Sequence, residues 1–266
     1  MTNRNGGLEV RQISVRYGGH LAVNALSLDV PQGRVTGLIG PNGAGKTTTF
    51  NACSGLLRPT SGRVFLFGED VTKSTPQHRA QLGMGRTFQR MELFDSLSVG
   101  ENVALGREAS MAGSRPWNQL RSTRAAGRAV SAAKDDALRL CEIEHLVRAR
   151  PADLSTGQRR LVELARCIAG GYRIMLLDEP SSGLDKAETV KFGTILKTLV
   201  QERGVGILLV EHDMSLVMSV CEQIQVMDFG QPIFYGTPRE VSASDIVRAA
   251  YLGTEDVEAA VAEAGV

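Results

Sequence analysis

The sequence predicts an α/β fold, a parallel sheet covered by helices and interrupted by an all-helical insertion. Three observations predict it. Apolar runs of strand length alternate with helix-length segments near both ends of the chain. A glycine-rich loop, Gly40-Pro41-Asn42-Gly43-Ala44-Gly45-Lys46-Thr47-Thr48, follows one such run and opens a helix. From about Ser98 to Arg150 the strand-like runs disappear, and Ala, Arg, Glu and Leu at helical spacing take over.

Taken in order, Leu8 to Val15 and Leu26 to Val30 alternate or run apolar and read as strands. Val35 to Ile39 is a buried strand leading into the glycine-rich loop, and Lys46 to Cys53 is the helix that follows. Gly55, Pro59 and Gly62 punctuate the approach to a strand at Gly62 to Phe67, and Met84 to Phe88 is the next one. Inside the insertion, Ala109 to Arg128 is polar, carries small residues and Pro116, and reads as a loop with short helices. Arg121, Arg124 and Arg128 fall there at helical spacing, as on a solvated face. Strand character returns at Ile174 to Leu177, Gly206 to Val210 and Gln223 to Met227. Helical runs at Gln158 to Ala169, Lys186 to Glu202 and Met214 to Cys221 separate these strands. The sheet is thus assembled from both sides of the insertion. No internal repeat is visible, and the acidic, alanine-rich tail from Glu255 to Val266 is a helix or a frayed end.

A chain of 266 residues can bury a substantial core, as one large domain or two modest ones. With 42% apolar and 22% charged residues it has the composition of a soluble globular protein. A net charge of +1 gives no reason to expect a nucleic-acid partner. No apolar run approaches the roughly 20 residues that cross a bilayer. Met1 to Gly7 is polar and lacks the apolar core of a signal peptide. A cytosolic protein, held at a membrane only by a partner, is the expectation. Cys53, Cys141, Cys167 and Cys221 have no ligand-like spacing and are expected as buried, reduced thiols.

The chemistry concentrates in three places. In the glycine-rich loop, glycines let backbone N–H groups turn inward around an anion, and the following helix adds about half a positive charge at its start. Lys46 can reach β- and γ-phosphates, and Thr47 can offer a hydroxyl to Mg2+. Together these predict nucleoside triphosphate binding. Ile174-Met175-Leu176-Leu177-Asp178-Glu179 is an apolar strand that ends in two carboxylates, where ligands sit in open α/β sheets. Asp178 is placed to hold Mg2+, directly or through a water, and Glu179 to polarise an attacking water. Alone, the pair also fits an ordinary acidic strand exit. Leu154-Ser155-Thr156-Gly157-Gln158 precedes a helix, and alone Ser155 reads as an ordinary N-cap.

Over nearly its whole length the chain resembles the nucleotide-binding subunit of ATP-binding cassette (ABC) transporters. Lys46 and Thr47 match Walker A, and Gln89, in Arg86-Thr87-Phe88-Gln89, matches the Q-loop glutamine. Leu154 to Gln158 matches the signature, with Thr156 in place of its first glycine. Asp178 and Glu179 match Walker B and the catalytic glutamate, and Ser182-Gly183-Leu184-Asp185 the D-loop. His212, in Glu211-His212-Asp213, matches the switch histidine, and Tyr17 the aromatic residue that stacks on adenine. The resemblance implies an α/β fold with a P-loop NTPase (RecA-like) core over residues 1–90 and 155–254. An N-terminal antiparallel β subdomain belongs to it, with an inserted α-helical subdomain over 91–154 and a tail over 255–266. It also implies an ATPase. Tyr17, Asn42, Gly43, Ala44, Gly45, Lys46, Thr47, Thr48, Gln89, Ser155, Gly157, Gln158 and Asp185 would contact ATP. Thr47, Gln89 and Asp178 would hold Mg2+, and Glu179, His212 and Lys46 would carry hydrolysis.

A narrower resemblance, to importers of branched-chain amino acids, rests on Gly85 to Gln89 followed by Leu93-Phe94 and Ser98-Val99-Gly100-Glu101-Asn102-Val103. Gly157-Gln158-Arg159-Arg160-Leu161, Glu211-His212-Asp213-Met214 and Tyr251-Leu252-Gly253 point the same way, while Asp185 stands where several close members have asparagine. The implied partners are a second ATP-binding subunit in a head-to-tail ATP sandwich, integral membrane permease subunits and, indirectly, an extracytoplasmic solute-binding protein. The implied place is the cytoplasmic face of the inner or plasma membrane. The alternatives are an ABC ATPase for another solute, such as urea or lipopolysaccharide, and a soluble ABC ATPase outside transport. Met91, Leu93 and Phe94 are apolar after a polar turn and are expected to line a docking groove for the membrane subunit.

Overall fold

The computed structural model describes residues 6–87, 93–112 and 124–251 of the chain. Its strands are β1 (Gly7–Tyr17), β2 (His20–Pro31), β3 (Val35–Ile39), β4 (Ser61–Leu66), β5 (Glu69–Asp70), β6 (Met84–Arg86), β7 (Ile174–Asp178), β8 (Gly206–Val210), β9 (Gln223–Asp228) and β10 (Gln231–Gly236). Its helices are α1 (Lys46–Ser54), α2 (Pro76–Leu82), α3 (Val99–Ala112), α4 (Arg124–Leu140), α5 (Thr156–Ala169), α6 (Lys186–Arg203), α7 (Met214–Val220), α8 (Pro238–Ala243) and α9 (Asp245–Tyr251).

Two sheets result. One is antiparallel, in the order β2-β1-β4-β5. The other runs β10-β9-β3-β8-β7-β6, and all its pairings are parallel except that of β10 with β9. In β3, β7 and β8 every residue is buried, so their sequences read as continuous apolar runs. Side-chain alternation nonetheless sorts them. Leu38, Ile174, Leu176, Leu208 and Val210 face the antiparallel sheet and α1, while Ile39, Met175, Leu177, Ile207 and Leu209 face the core shared with α5, α6 and α7.

The expected elements appear with ends shifted by a residue or two, except that β2 begins at His20, six residues before the expected Leu26, and Phe88 lies outside the described residues. One expectation is corrected. Of the stretch expected as a loop with short helices, Ala109 to Ala112 instead ends the 14-residue α3 and Arg124 to Arg128 begins the 17-residue α4, and the rest lies outside the described residues. The small residues that suggested a loop include several alanines, and alanine has the highest intrinsic helix propensity. Arg124 and Arg128 are exposed on α4, as a solvated face requires. The insertion packs as a layer, because α5 lies against both α3 and α4. Gly106 permits the close approach, since a Cβ there would meet the Arg166 carbonyl of α5.

Five short elements, α2, β5, β10, α8 and α9, carry no run long enough to be read in sequence. One of them matters to the loop. Arg79 of α2 is almost wholly buried and donates from Nη1 to Ala52 O at 2.8 Å and Cys53 O at 2.5 Å, and from Nη2 to Val71 O at 2.6 Å. It thereby satisfies carbonyls at the end of α1, and a bond from a charged donor is worth roughly 1.5–3 kcal/mol. The four cysteines are free and buried, and burial pushes the Cys53 and Cys167 thiols up to about 12.

Candidate nucleotide site

The glycine-rich loop leaves the end of β3 and closes over its own lysine. Lys46 Nζ donates to Gly40 O at 2.5 Å and to Pro41 O at 3.0 Å. Burial lowers the Lys46 ammonium below its usual range, and the neighbouring Glu179 and Asp178 carboxylates act against that shift. Gly45 takes φ 97°, and a Cβ there would lie 2.6 Å from Ala22 O, so only glycine fits. Asn42, Gly43 and Thr47 are exposed, Thr48 is half-buried and Ala44 is buried. Tyr17 ends β1 with 52% of its surface exposed.

Asp178 ends β7, two strands from β3 in the parallel sheet, and is almost fully buried. Burial, and then the adjacent Glu179 charge, push its carboxyl up to about 6, while Arg86 and Lys46 oppose this. Glu179 follows in a left-handed conformation, φ 46°, with its N–H donating to Val210 O at 2.8 Å. His212 comes from the end of β8, the strand between β3 and β7, and its Nδ1 lies 3.9 Å from Glu179 Oε1. Lys46, Asp178, Glu179 and His212 therefore converge beside the loop although they are distant in sequence.

The signature residues gather elsewhere, at the start of α5. Ser155 caps α5 by accepting from Gln158 N at 3.2 Å, and Gln158 Oε1 accepts from Ser155 N at 3.0 Å. Asp185 caps α6 in the same manner, accepting from Glu188 N at 2.8 Å. The two caps touch, because a Cβ on Gly157 would lie 2.1 Å from Glu188 Oε1. Thr156 Cγ2 would lie 3.0 Å from a Cβ on Gly183. The side chain that replaces the usual glycine thus packs against the D-loop segment of its own subunit. Gln89 lies outside the described residues.

Sequence reasoning missed two charged neighbours. Arg86 donates from Nη1 to Ser54 Oγ at 3.0 Å and lies over the Phe50 ring, bringing a cation near Asp178. Glu211 is wholly buried beside His212. Its signal was present, a carboxylate at the exit of an apolar strand, the pattern that singled out Asp178 and Glu179.

A sequence model described as ABC transporter matches residues 23–182. The chain belongs to this family. It is 38% identical over 250 residues to the high-affinity branched-chain amino acid transport ATP-binding protein LivG of Salmonella typhimurium, covering 92% of this chain and 97% of that one. The protein BraF of Pseudomonas aeruginosa, described in the same words, is similar to the same degree. Among solved structures, a nucleotide-free ATP-binding cassette from an ABC transporter superposes with a TM-score of 0.80 at 28% identity, covering 92% of this chain and 98% of that one. This ABC protein is accordingly an ATPase with a nucleotide-binding cassette fold. Among its described residues no helix is long and apolar enough to cross a membrane.

Proposed function

We propose that this chain is the ATP-hydrolysing subunit that powers a membrane importer of branched-chain or other hydrophobic amino acids. The observation that carries the solute class is likeness to LivG and BraF along nearly the whole chain. Catalytic roles follow from the site. The Tyr17 ring supplies a π-face to adenine. The loop N–H groups and Lys46 hold the phosphates, and Lys46 exchanges its carbonyl partners for phosphate oxygens. Thr47 and Asp178 suit Mg2+, because a metal of this kind takes one or two carboxylates together with substrate phosphates. Two adjacent carboxylates with a raised Asp178 pKa fit a site that gains from a cation. When bound, the ion neutralises charge on the β- and γ-phosphates. Glu179 accepts a proton from the attacking water, and His212 orients Glu179 or donates to the γ-phosphate.

A second copy completes the site head to tail, with the exposed helix start at Ser155 and Thr156 offering the positive end of its dipole to the γ-phosphate. Between the sheet and the insertion lies a cavity of about 650 Å3, lined by Met84, Thr87, Leu93, Phe94, Leu105 and Ala109 among others. Asn102 fixes this rim, accepting from Phe94 N at 2.9 Å and donating to Phe94 O at 3.1 Å. Phe94 stays 54% exposed, whereas Met91 is outside the described residues. A cytoplasmic helix of the permease docks in this groove, which holds the subunit at the cytoplasmic face of the membrane. The solute-binding protein acts only through the permease.

Reconstitution with a permease pair and its binding protein in liposomes tests the reading. ATP-dependent uptake of labelled leucine is expected, and Phe94→Asp should abolish uptake while the isolated subunit keeps its ATPase activity. Absence of uptake of leucine, isoleucine and valine by a complex that hydrolyses ATP would refute the solute class.

A further inference from the structure

Glu211 follows β8 directly with no exposed surface, and no step above uses it. Its two carboxylate oxygens are divided between two loops. Oε1 accepts from Ser181 N at 2.8 Å, in the segment that follows Glu179 and Pro180. Oε2 accepts from His212 N at 3.1 Å and makes a longer contact with Asp213 N at 3.5 Å. His212 Nδ1 lies 3.9 Å from this same Oε2 and 3.9 Å from Glu179 Oε1, so the imidazole sits between two carboxylates.

Glu179 is held in a left-handed backbone conformation that a residue with a side chain rarely adopts. Such a conformation persists where the surroundings over-determine it. Here the clamp is visible on both sides. The Glu179 N–H is tied to Val210 O, and the Ser181 N–H is tied to the Glu211 carboxylate. One side chain therefore fixes the exit of the Glu179 turn and the start of the His212 loop together.

We propose that Glu211 is a positioning residue that sets the distance and orientation of Glu179 relative to His212. Both of its oxygens face N–H donors, an arrangement that an ionised carboxylate satisfies and a carboxamide cannot. In Glu211→Gln one N–H must face an NH2 group, either at Ser181 or at His212. The loops then shift relative to one another without any loss from the phosphate-binding loop.

The inference rests on the roles proposed for Glu179 and His212, and the experiment separates the two. Steady-state and single-turnover ATPase rates are measured for the wild type, E211Q, E211D, E179Q and E179Q/E211Q, with Mg-ATP affinity alongside. E211Q should lower kcat by about tenfold to a hundredfold with KM and affinity unchanged, because misplacement alone has effects of that size. E211D, which keeps two acceptor oxygens, should recover part of that loss. In the E179Q background E211Q should cost nothing further, since it acts through Glu179. Wild-type kcat in E211Q overturns the inference, as does an equal fractional loss in both backgrounds. If E211Q yields no folded protein, E211D decides: a reduced kcat at unchanged KM supports the inference, and a wild-type kcat overturns it. If E179Q itself turns over like the wild type, the role of Glu179 fails first and the inference falls with it.

Discussion

Asp178 and Glu179 are neighbours in sequence with different surroundings. Asp178 is 4% exposed, and its carboxyl is raised from 3.8 to about 6 by burial and by the Glu179 charge. Between about pH 4 and pH 6 the folded protein therefore holds a proton that the unfolded chain has released. This contribution favours the fold at low pH and is lost as pH rises through that window. Asp178→Asn should consequently raise the Tm of the nucleotide-free protein at neutral pH, which thermal unfolding would show. Cation binding has the opposite sign, since a metal needs the ionised carboxylate. The gain in nucleotide affinity on adding Mg2+ should shrink as pH falls below about 6, and Asp178→Asn should lose both the gain and its pH dependence. Titrations at about pH 7.5 and about pH 5 measure this, and an unchanged gain in the variant would remove Asp178 from the metal site. Lys46 shifts in the opposite direction, its ammonium lowered by burial while it donates to the Gly40 carbonyl.

At the scale of elements, the starts of α5 and α6 are built as one unit. Each carries a reciprocal cap, Ser155 with Gln158 and Asp185 with Glu188. Gly157 is the contact between them, because its missing Cβ leaves room for the Glu188 carboxylate. Gly157→Ala should displace that carboxylate and weaken the α6 cap, at about 1 kcal/mol and a fall in Tm of about 2–4 °C. Combined with Glu188→Ala, the two losses should be less than additive, which calorimetry of the double variant checks. The sequence suggested a cap at Ser155 from residue type alone. It carried no sign that the cap of the next helix closes against it, because contact between helices is not a periodic property of either one.

For the whole molecule, sheet order does the assembling. Strand β8 lies between β3 and β7, so the Walker A loop, the two carboxylates at the end of β7 and the Glu211-His212 pair after β8 emerge at adjacent strand ends. The same order leaves the signature with the helical layer, facing outward. In the proposed sandwich, a site divided in this way closes between two copies. Glu179→Gln with Mg-ATP should shift from monomer to dimer in size-exclusion chromatography, and adding Lys46→Ala should return it to monomer. A monomer under both conditions at high protein concentration would refute the sandwich.

By itself, the sequence determined the alternation of strands and helices along the chain, the membership of an ATPase family and the adjacency of Asp178 and Glu179 at a strand exit. These depend on local spacing: an apolar run, a glycine-rich turn, a carboxylate at a strand exit. Tertiary structure decided what long-range packing alone can place. The short α2 brings Arg79 to the carbonyls at the end of α1, and Arg86 brings a cation near Asp178. Thr156 turns toward Gly183, and Glu211 binds two loops that the sequence separates by about thirty residues. Each of these side chains is fixed by a backbone group or a packing surface from another part of the chain, and no window along the sequence contains both partners.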